Sequence, residues 1–280
     1  MKQINTINEL LDFIEETKKQ SQTIGFVPTM GSLHQGHDSL IKKCQKENDI
    51  TIVSIYVNPI QFNNQDDFVN YPRNLTLDIR RLLNLNCDIL FSPSVTEISK
   101  LPQVNLNLRL DNLNTVLEAK KRPGHFNGVI TIVSKLFEMV TPNKAYFGEK
   151  DLQQLLIIKE LCRQKFNNIQ IVTCSTIRNR NGLAKSSRNK NLNSKEALLA
   201  RSIYKVLREV KKNKLNWSIK KIKEYVKIYF NNIPTINLDY FEIIESESFS
   251  FTQEINSNCN YYAMIAVKIR NIRLIDNLKL

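Results

Sequence analysis

Along the first part of the chain, short apolar runs alternate with stretches whose apolar residues recur at three- and four-residue spacing, the two periods that separate strand from helix. Leu10, Leu11 and Ile14 mark a helix from Asn8 to about Lys19, with acids early and lysines late as the helix dipole favours. Ile24–Val27 reads as a short buried strand, about His37–Lys46 as a helix, and the β-branched run Ile50–Val57 as a central parallel strand. The alternation continues with helices over Leu75–Leu85, Gly128–Val140 and Leu152–Phe166, and strands over Asp88–Phe91, Ala145–Phe147 and Ile169–Val172. Such a βα pattern predicts an α/β chain with a doubly wound parallel sheet. Beyond Cys174 the pattern changes to two long helices, Lys195–Lys212 and Trp217–Phe230, then strands at Leu238–Ile244, Tyr261–Lys268 and Ile272–Ile275. That predicts a smaller α+β domain, with the chain dividing into 1–173 and 174–280.

One stretch breaks both periods: Pro28-Thr29-Met30-Gly31-Ser32-Leu33-His34-Gln35-Gly36-His37. It joins the first buried strand to the next helix, and its glycines let backbone approach a ligand closely. A loop at the carboxyl end of a parallel strand, facing the free N–H groups of the next helix, is where nucleotide phosphates settle in open α/β sheets. Two of the chain's three histidines, His34 and His37, fall here. Imidazole can donate to a polyphosphate near neutral pH, as a neutral donor or as imidazolium. A solvated or structural pair and a zinc pair are the other readings, and no cysteine lies nearby to complete a common zinc site.

Charge and cysteine content narrow the classes further. The net charge of +13, from 40 Lys+Arg against 27 Asp+Glu, admits nucleic acid as a partner. Yet the densest basic segment, Lys211–Lys223, carries Leu215, Ile219 and Ile222 at helical spacing and so reads as a helix with a wet lysine face. An acidic small molecule fits the charge as well, and no nucleic acid is expected. No apolar run approaches the eighteen or so residues of a membrane span, and Met1–Asn5 leads into a polar helix, so a soluble cytoplasmic chain is expected. The five scattered cysteines are odd in number and predict neither a disulfide framework nor structural zinc.

The H-x-G-H form of the central loop is shared by nucleotidylyltransferases and class I aminoacyl-tRNA synthetases. The longer strings are more specific: P-T-M-G-S-L-H-Q-G-H at 28–37, V-N-P-I-Q-F at 57–62, Y-P-R at 71–73, R-P-G-H-F-N-G-V at 122–129, Y-F-G-E-K-D-L-Q-Q-L at 146–155 and G-L-A-K-S-S-R-N at 182–189. In this order, and with L-D-Y-F-E at 238–242 and R-L-I-D-N at 273–277, the chain resembles the pantoate–β-alanine ligase family over nearly its whole length. The resemblance implies a Rossmann-like sheet whose C-terminal domain closes over the site. It also implies an ATP-dependent ligase that adenylates (R)-pantoate, releases pyrophosphate, and passes the acyl group to β-alanine with release of AMP. Other H-x-G-H nucleotidylyl transfer and nucleic-acid binding stand as the alternatives.

By the match, Met30, Gly31, Ser32, Leu33, His34, Gln35, Gly36 and His37 form the ATP loop, with His34 and His37 donating to the phosphates and His37 the proton donor. Gly148, Glu149, Lys150 and Asp151 belong to the same ATP site, with Lys150 a catalytic point charge. Lys185, Ser186, Ser187 and Arg188 resemble a second nucleotide loop, with Ile177 at the adenine and Gly182 a source of hinge flexibility. Gln61 resembles the glutamine that contacts both pantoate and β-alanine, and Gln154 the one that binds pantoate. Read without the family, Gln61 is a loop glutamine, Asp151 and Gln154 a helix capping box, and 182–189 a basic linker. His125 either walls the pantoate pocket or holds a loop. Mg²⁺ and a homodimer are expected, with Asp78 and Asp151 as candidate Mg²⁺ contacts and no ligand assigned. Asp38, Lys185 and Ser32 depart from the family's common residues, Asp38 adding negative charge near the phosphates.

Overall fold

In the computed structural model, which describes residues 1–63, 65–102, 106–256 and 258–280, the early apolar runs pair as one parallel sheet. The elements in order are β1 (Lys2–Ile4), α1 (Ile7–Lys19), β2 (Ile24–Thr29), α2 (Gln35–Glu47), β3 (Ile50–Ile55), α3 (Gln65–Val69), α4 (Leu75–Asn84) and β4 (Ile89–Phe91). They continue with α5 (Val95–Ser99), α6 (Glu118–Lys121), α7 (His125–Val140), β5 (Lys144–Gly148), α8 (Leu152–Lys165) and β6 (Gln170–Cys174). The strand order is β1-β4-β3-β2-β5-β6, every pair parallel. Successive strands run outward from β2 through β3 to β4, then restart on its other side at β5. β2 therefore borders the point where the strand order reverses, and the loop leaving its carboxyl end lies where such sheets bind ligands.

Both faces of the sheet are covered, which is why its strands are apolar without alternation. On one face Phe26 meets Phe137 of α7 edge to face at 6.4 Å, and Phe137 also meets Phe166 at 5.6 Å. On the other, Val27, Val53 and Leu90 pack with Leu40, Ile41 and Cys44 of α2 and Leu82 of α4. Two neighbouring strand residues thus face opposite layers, as the period of two requires. β1 is the strand the sequence pattern does not reveal, being three residues long and paired only with β4. Central-strand and helix ends shift slightly: β3 stops at Ile55, and α2 begins at Gln35.

Among the described residues all five cysteines are free, and four are buried. Burial pushes the Cys44 and Cys87 thiols up to about 12. From about pH 9 upward the unfolded chain releases these protons and the folded chain does not, so the folded state is disfavoured as pH rises. Stability is expected to fall by about 1.4 kcal/mol per thiol per pH unit between roughly 9 and 12, read from denaturant midpoints, and C44A should flatten the slope.

The second compact unit comprises Lys150–Leu152 and Thr176–Leu280, the first comprising Met1–Glu149 and Gln153–Ser175. Its elements are α9 (Ser194–Asn213), α10 (Ile219–Asn231), β7 (Ile236–Glu245), β8 (Tyr261–Ile269) and β9 (Ile272–Lys279), with β7-β8-β9 an antiparallel sheet. α9 starts on a capping box in which Asn193 and Glu196 bond each other's backbone N–H at 2.9 Å. Ile203, Leu207, Ile222, Val226 and Phe230 of the two helices pack on Ile243, Ala263 and Ile265 of the sheet. Among the described residues no helix is long and apolar enough to cross a membrane.

Candidate active site

The loop after β2 is organised by its own polar groups. Gly31 and Ser32 both adopt left-handed φ, +76° and +52°, so successive N–H groups converge into a concave nest. Asp78 of α4, 3 % exposed, fills that nest: its two carboxylate oxygens accept the N–H groups of Ser32 and Leu33 at 2.7 Å each. Hydrogen bonds to a charged acceptor contribute roughly 1.5–3 kcal/mol each, enough to hold a serine in a conformation that favours glycine. Both oxygens of Asp78 thus hold the loop's shape. Among the described residues no group of three or more His, Cys, Asp or Glu could hold a metal ion.

His34 and His37 cap α2 reciprocally. The Gly36 N–H donates to His34 Nδ1 at 3.1 Å, and the His34 N–H donates to His37 Nδ1 at 3.2 Å, with ring centroids 4.1 Å apart. This is the capping-box pattern with imidazoles in place of hydroxyl and carboxylate. A nitrogen that accepts carries no proton, so each neutral ring bears its hydrogen on Nε2. Of the two forms open from sequence, the capped geometry selects the neutral donor.

Asp38 does not leave bare negative charge beside this loop. Arg81, one turn beyond Asp78 on α4, grips it through Nε and a terminal nitrogen at 2.6 Å each. The arginine is the residue that reading the loop alone misses, because it lies 43 positions away.

Gln61 ends a 3₁₀ turn over Pro59–Gln61 and is 5 % exposed, not a solvated loop glutamine. Its Nε2 faces the Met30 sulfur. Buried Asn58, unremarked in the sequence beyond its motif, donates to the Gly128 carbonyl at 3.0 Å and to Gln61 Oε1 at 3.4 Å. His125 accepts from Arg122 at Nε2 (3.0 Å) and donates from Nδ1 to the Gln61 carbonyl at 2.7 Å, the opposite tautomer to the loop pair. A Cβ on Gly128 would lie 2.7 Å from the Gln61 backbone, so only glycine lets α7 approach this turn. Gln154 is half-buried on α8, whereas its neighbour Gln153 is consumed structurally, bonding Glu118, Leu113 and Val116 backbone at 2.8–3.0 Å.

Gly148 closes β5, and Glu149, Lys150 and Asp151 form a 3₁₀ turn that runs straight into α8. Lys150 Nζ lies 3.3 Å from Asp151 Oδ1. Within the second unit, Asn277 donates to the Lys150 carbonyl at 2.8 Å. Its neighbour Asp276 holds Arg178 through both oxygens, at 2.5 and 2.9 Å, and Arg178 donates onward to the Gly182 carbonyl at 3.1 Å.

The segment 177–188 is likewise pinned. The Lys185 N–H donates to the Ile177 carbonyl at 2.8 Å, and Asn179 Oδ1 accepts from Asn181 and Leu183 at 3.0 Å. Gly182 sits at φ +88° with Tyr204 where a Cβ would go. Gly182 is thus required by the packing and by the turn of a hydrogen-bonded hairpin. Ser186 caps a 3₁₀ turn over Ser187–Asn191, accepting the Arg188 N–H at 3.3 Å; Ser187 is buried, and Lys185 and Arg188 are half-buried.

Each unit thus assembles its own polar set: Met30–His37 with Gln61 and Asn58 in the first, Lys150–Asp151 and the Ile177–Arg188 hairpin in the second. Residues 2–279 match the family described as pantoate-beta-alanine ligase. The chain is 44% identical over 280 residues to the pantothenate synthetase of Flavobacterium psychrophilum, covering 100% of this chain and 98% of that one. It is 43% identical over 279 residues to that of Azobacteroides pseudotrichonymphae, covering 99% of each. Among solved structures, a Thermus thermophilus pantothenate synthetase aligns with TM-score 0.89 at 34% identity, covering 100% of this chain and 99% of that chain. A Francisella tularensis pantoate-beta-alanine ligase complexed with beta-gamma ATP and beta-alanine aligns with TM-score 0.82 at 39% identity, covering 100% and 97%.

Proposed function

This chain belongs to the pantoate–β-alanine ligase family, and from that premise we propose how its residues divide the work of joining (R)-pantoate to β-alanine with ATP. A pantoate carboxylate oxygen attacks the α-phosphorus, the bond to the β-phosphate oxygen breaks, and pyrophosphate leaves. The β-alanine amine, neutral when it reacts, then attacks the acyl carbon of the pantoyl adenylate; the bond from that carbon to the AMP phosphate oxygen breaks, AMP leaves, and the nitrogen loses its extra proton to water as the amide forms. Two anions must first be brought together, so positioning and charge stabilisation supply most of the catalysis.

His34 and His37 are the hydrogen-bond donors to the phosphates, each through its Nε2–H. The observation that carries this reading is their paired Nδ1 capping, which commits both rings to an Nε2–H before any anion arrives. Donors fixed in advance need no reorganisation as charge builds on the leaving pyrophosphate. Gly36 and Gln35 lie in the first turn of α2, where the dipole favours anions. Lys150, Lys185 and Arg188 add positive charge toward the phosphates, Ser186 and Ser187 hydroxyls, Asp151 a ribose contact and Ile177 an apolar contact for adenine. Gly148 and Glu149 shape the turn that presents Lys150. Gln61 serves pantoate and β-alanine, and Gln154 pantoate.

MgATP is the nucleotide form in this reading. With no protein cage among the described residues, the ion belongs with the phosphates and its own waters, as Mg²⁺ commonly does. A cytoplasmic setting accords with five unbridged cysteines. The assembly is a homodimer, the commonest closed oligomer, which sedimentation would test.

The deciding experiment is exchange of labelled pyrophosphate into ATP with pantoate and Mg²⁺ and without β-alanine. Exchange that depends on pantoate supports reversible carboxylate adenylation. Absence of exchange in folded protein that binds ATP, and that stays inactive when β-alanine is added, would refute it.

A further inference from the structure

Asp78 and Arg81 stand three residues apart on α4, a spacing that puts both on one face of the helix. Each reaches a different end of the histidine loop. Asp78 occupies the backbone nest at its start, taking the Ser32 and Leu33 N–H groups at 2.7 Å. Arg81 holds Asp38 just past its end, with two bonds of 2.6 Å. Between those two grips lie His34 and His37, whose rings depend on the intervening backbone for their capping bonds.

We infer that Asp78 and Arg81 are positioning residues that hold both ends of the histidine loop and so preset it for ATP; this rests on the proposed ATP role of the loop. A nest of converging N–H groups attracts anions, and here the protein fills it with its own carboxylate. The Ser32 and Leu33 amides are thereby spent on shape, and phosphate recognition falls to the histidine rings and the turn after Gly36. Nor can the loop relax toward Asp78 with a larger residue at its apex: a Cβ on Gly31 would lie 3.0 Å from Asp78 Oδ2 and from Ile55 Cγ2, at φ +76°. The second grip is side chain to side chain and bidentate, which fixes orientation as well as distance. It also explains how an acid at position 38 is tolerated beside a phosphate site: its charge is met by a guanidinium.

The test combines amide exchange with kinetics on D78N, D38A, R81A and the D38A/R81A double variant. D78N puts an amide NH₂ where one carboxylate oxygen accepted, so exchange at Ser32 and Leu33 should accelerate at least tenfold without nucleotide, while the β3 amides stay protected. The KM for ATP in pyrophosphate exchange should rise roughly tenfold or more, with the KM for pantoate within twofold. D38A and R81A should each raise the ATP KM a few-fold, and the double variant no further, since both remove one contact. A change in melting temperature with unchanged ATP KM would make the residues merely structural and overturn the inference. So would unchanged exchange at Ser32 and Leu33 in D78N. If D78N does not fold, the half-exposed Asp38–Arg81 arm decides, an ATP KM additive in the double variant counting against it. If the wild type binds ATP but shows no pantoate-dependent exchange, the ligase reading fails instead, and direct ATP dissociation constants for the same variants still judge the clamp.

Discussion

Replacing His37 by alanine is expected to lower adenylate formation roughly 10²–10³-fold, the usual effect of losing one donor to developing charge. Because His37 also accepts the His34 N–H, alanine removes a cap and a donor together. Two further variants separate them. Asparagine places an oxygen near the Nδ1 position and keeps the cap without the distal donor. Glutamine reaches the Nε2 position with an N–H and forgoes the cap. H37N should therefore stay as slow as H37A at near wild-type stability. H37Q should recover part of the rate while losing about 1 kcal/mol, the typical worth of a cap. Pyrophosphate exchange and urea midpoints report the two effects, and the reverse ordering would assign His37 to structure alone. Lys150→Ala should show a rate loss of the same order, roughly 10²–10³-fold, without the stability change.

The largest effect on stability is expected from Arg178→Ala. Asp276, its partner, is 2 % exposed at the side chain, and removing the guanidinium strands a charge at a cost of about 3–5 kcal/mol. Burial pushes the Asp276 carboxyl up, and Arg178 is the chief group pulling it back. In R178A the folded chain keeps a proton that the unfolded chain has already released, so stability falls as pH rises through that range and returns as pH drops. The deficit of R178A against wild type should thus narrow toward pH 4, as read from urea midpoints. An apolar double replacement, R178M/D276L, should recover much of the loss, as buried pairs often allow. A deficit independent of pH would mean that Arg178 acts through packing on Tyr204, which it overlies at 4.1 Å.

How much of this the sequence disclosed follows from how local each feature is. The alternation from β2 to β6 is carried by short windows, so each element announces itself, whereas β1 has only three residues and acquires meaning from β4, 87 positions on. His34 and His37 stand out through rarity and spacing, yet their tautomers are set by backbone geometry that no composition expresses. Asp78 stood out only as a candidate Mg²⁺ contact; its hold on the Ser32 and Leu33 N–H groups, which lie across 45 or more residues, was not legible. Asp38 invited a penalty only while Arg81 was out of view. Gly182 suggested freedom, the ordinary inference from glycine in a loop, where packing against Tyr204 makes it a requirement. The family strings contain Asn58, His125 and Gly128 as well as Gln61, but not the fact that they support it, since these three work through its position and not through chemistry of their own.

Gly128 carries that last point furthest. It bears no reactive group, and its contribution is an absence of atoms beneath the Gln61 backbone, 2.7 Å from where any side chain would begin. A scan of every amino acid at every position would score residue 128 as unforgiving as the histidines. Intolerance to change would then trace the scaffolding together with the chemistry, and a map of the catalytic centre drawn from tolerance alone would be too wide by one layer of the protein.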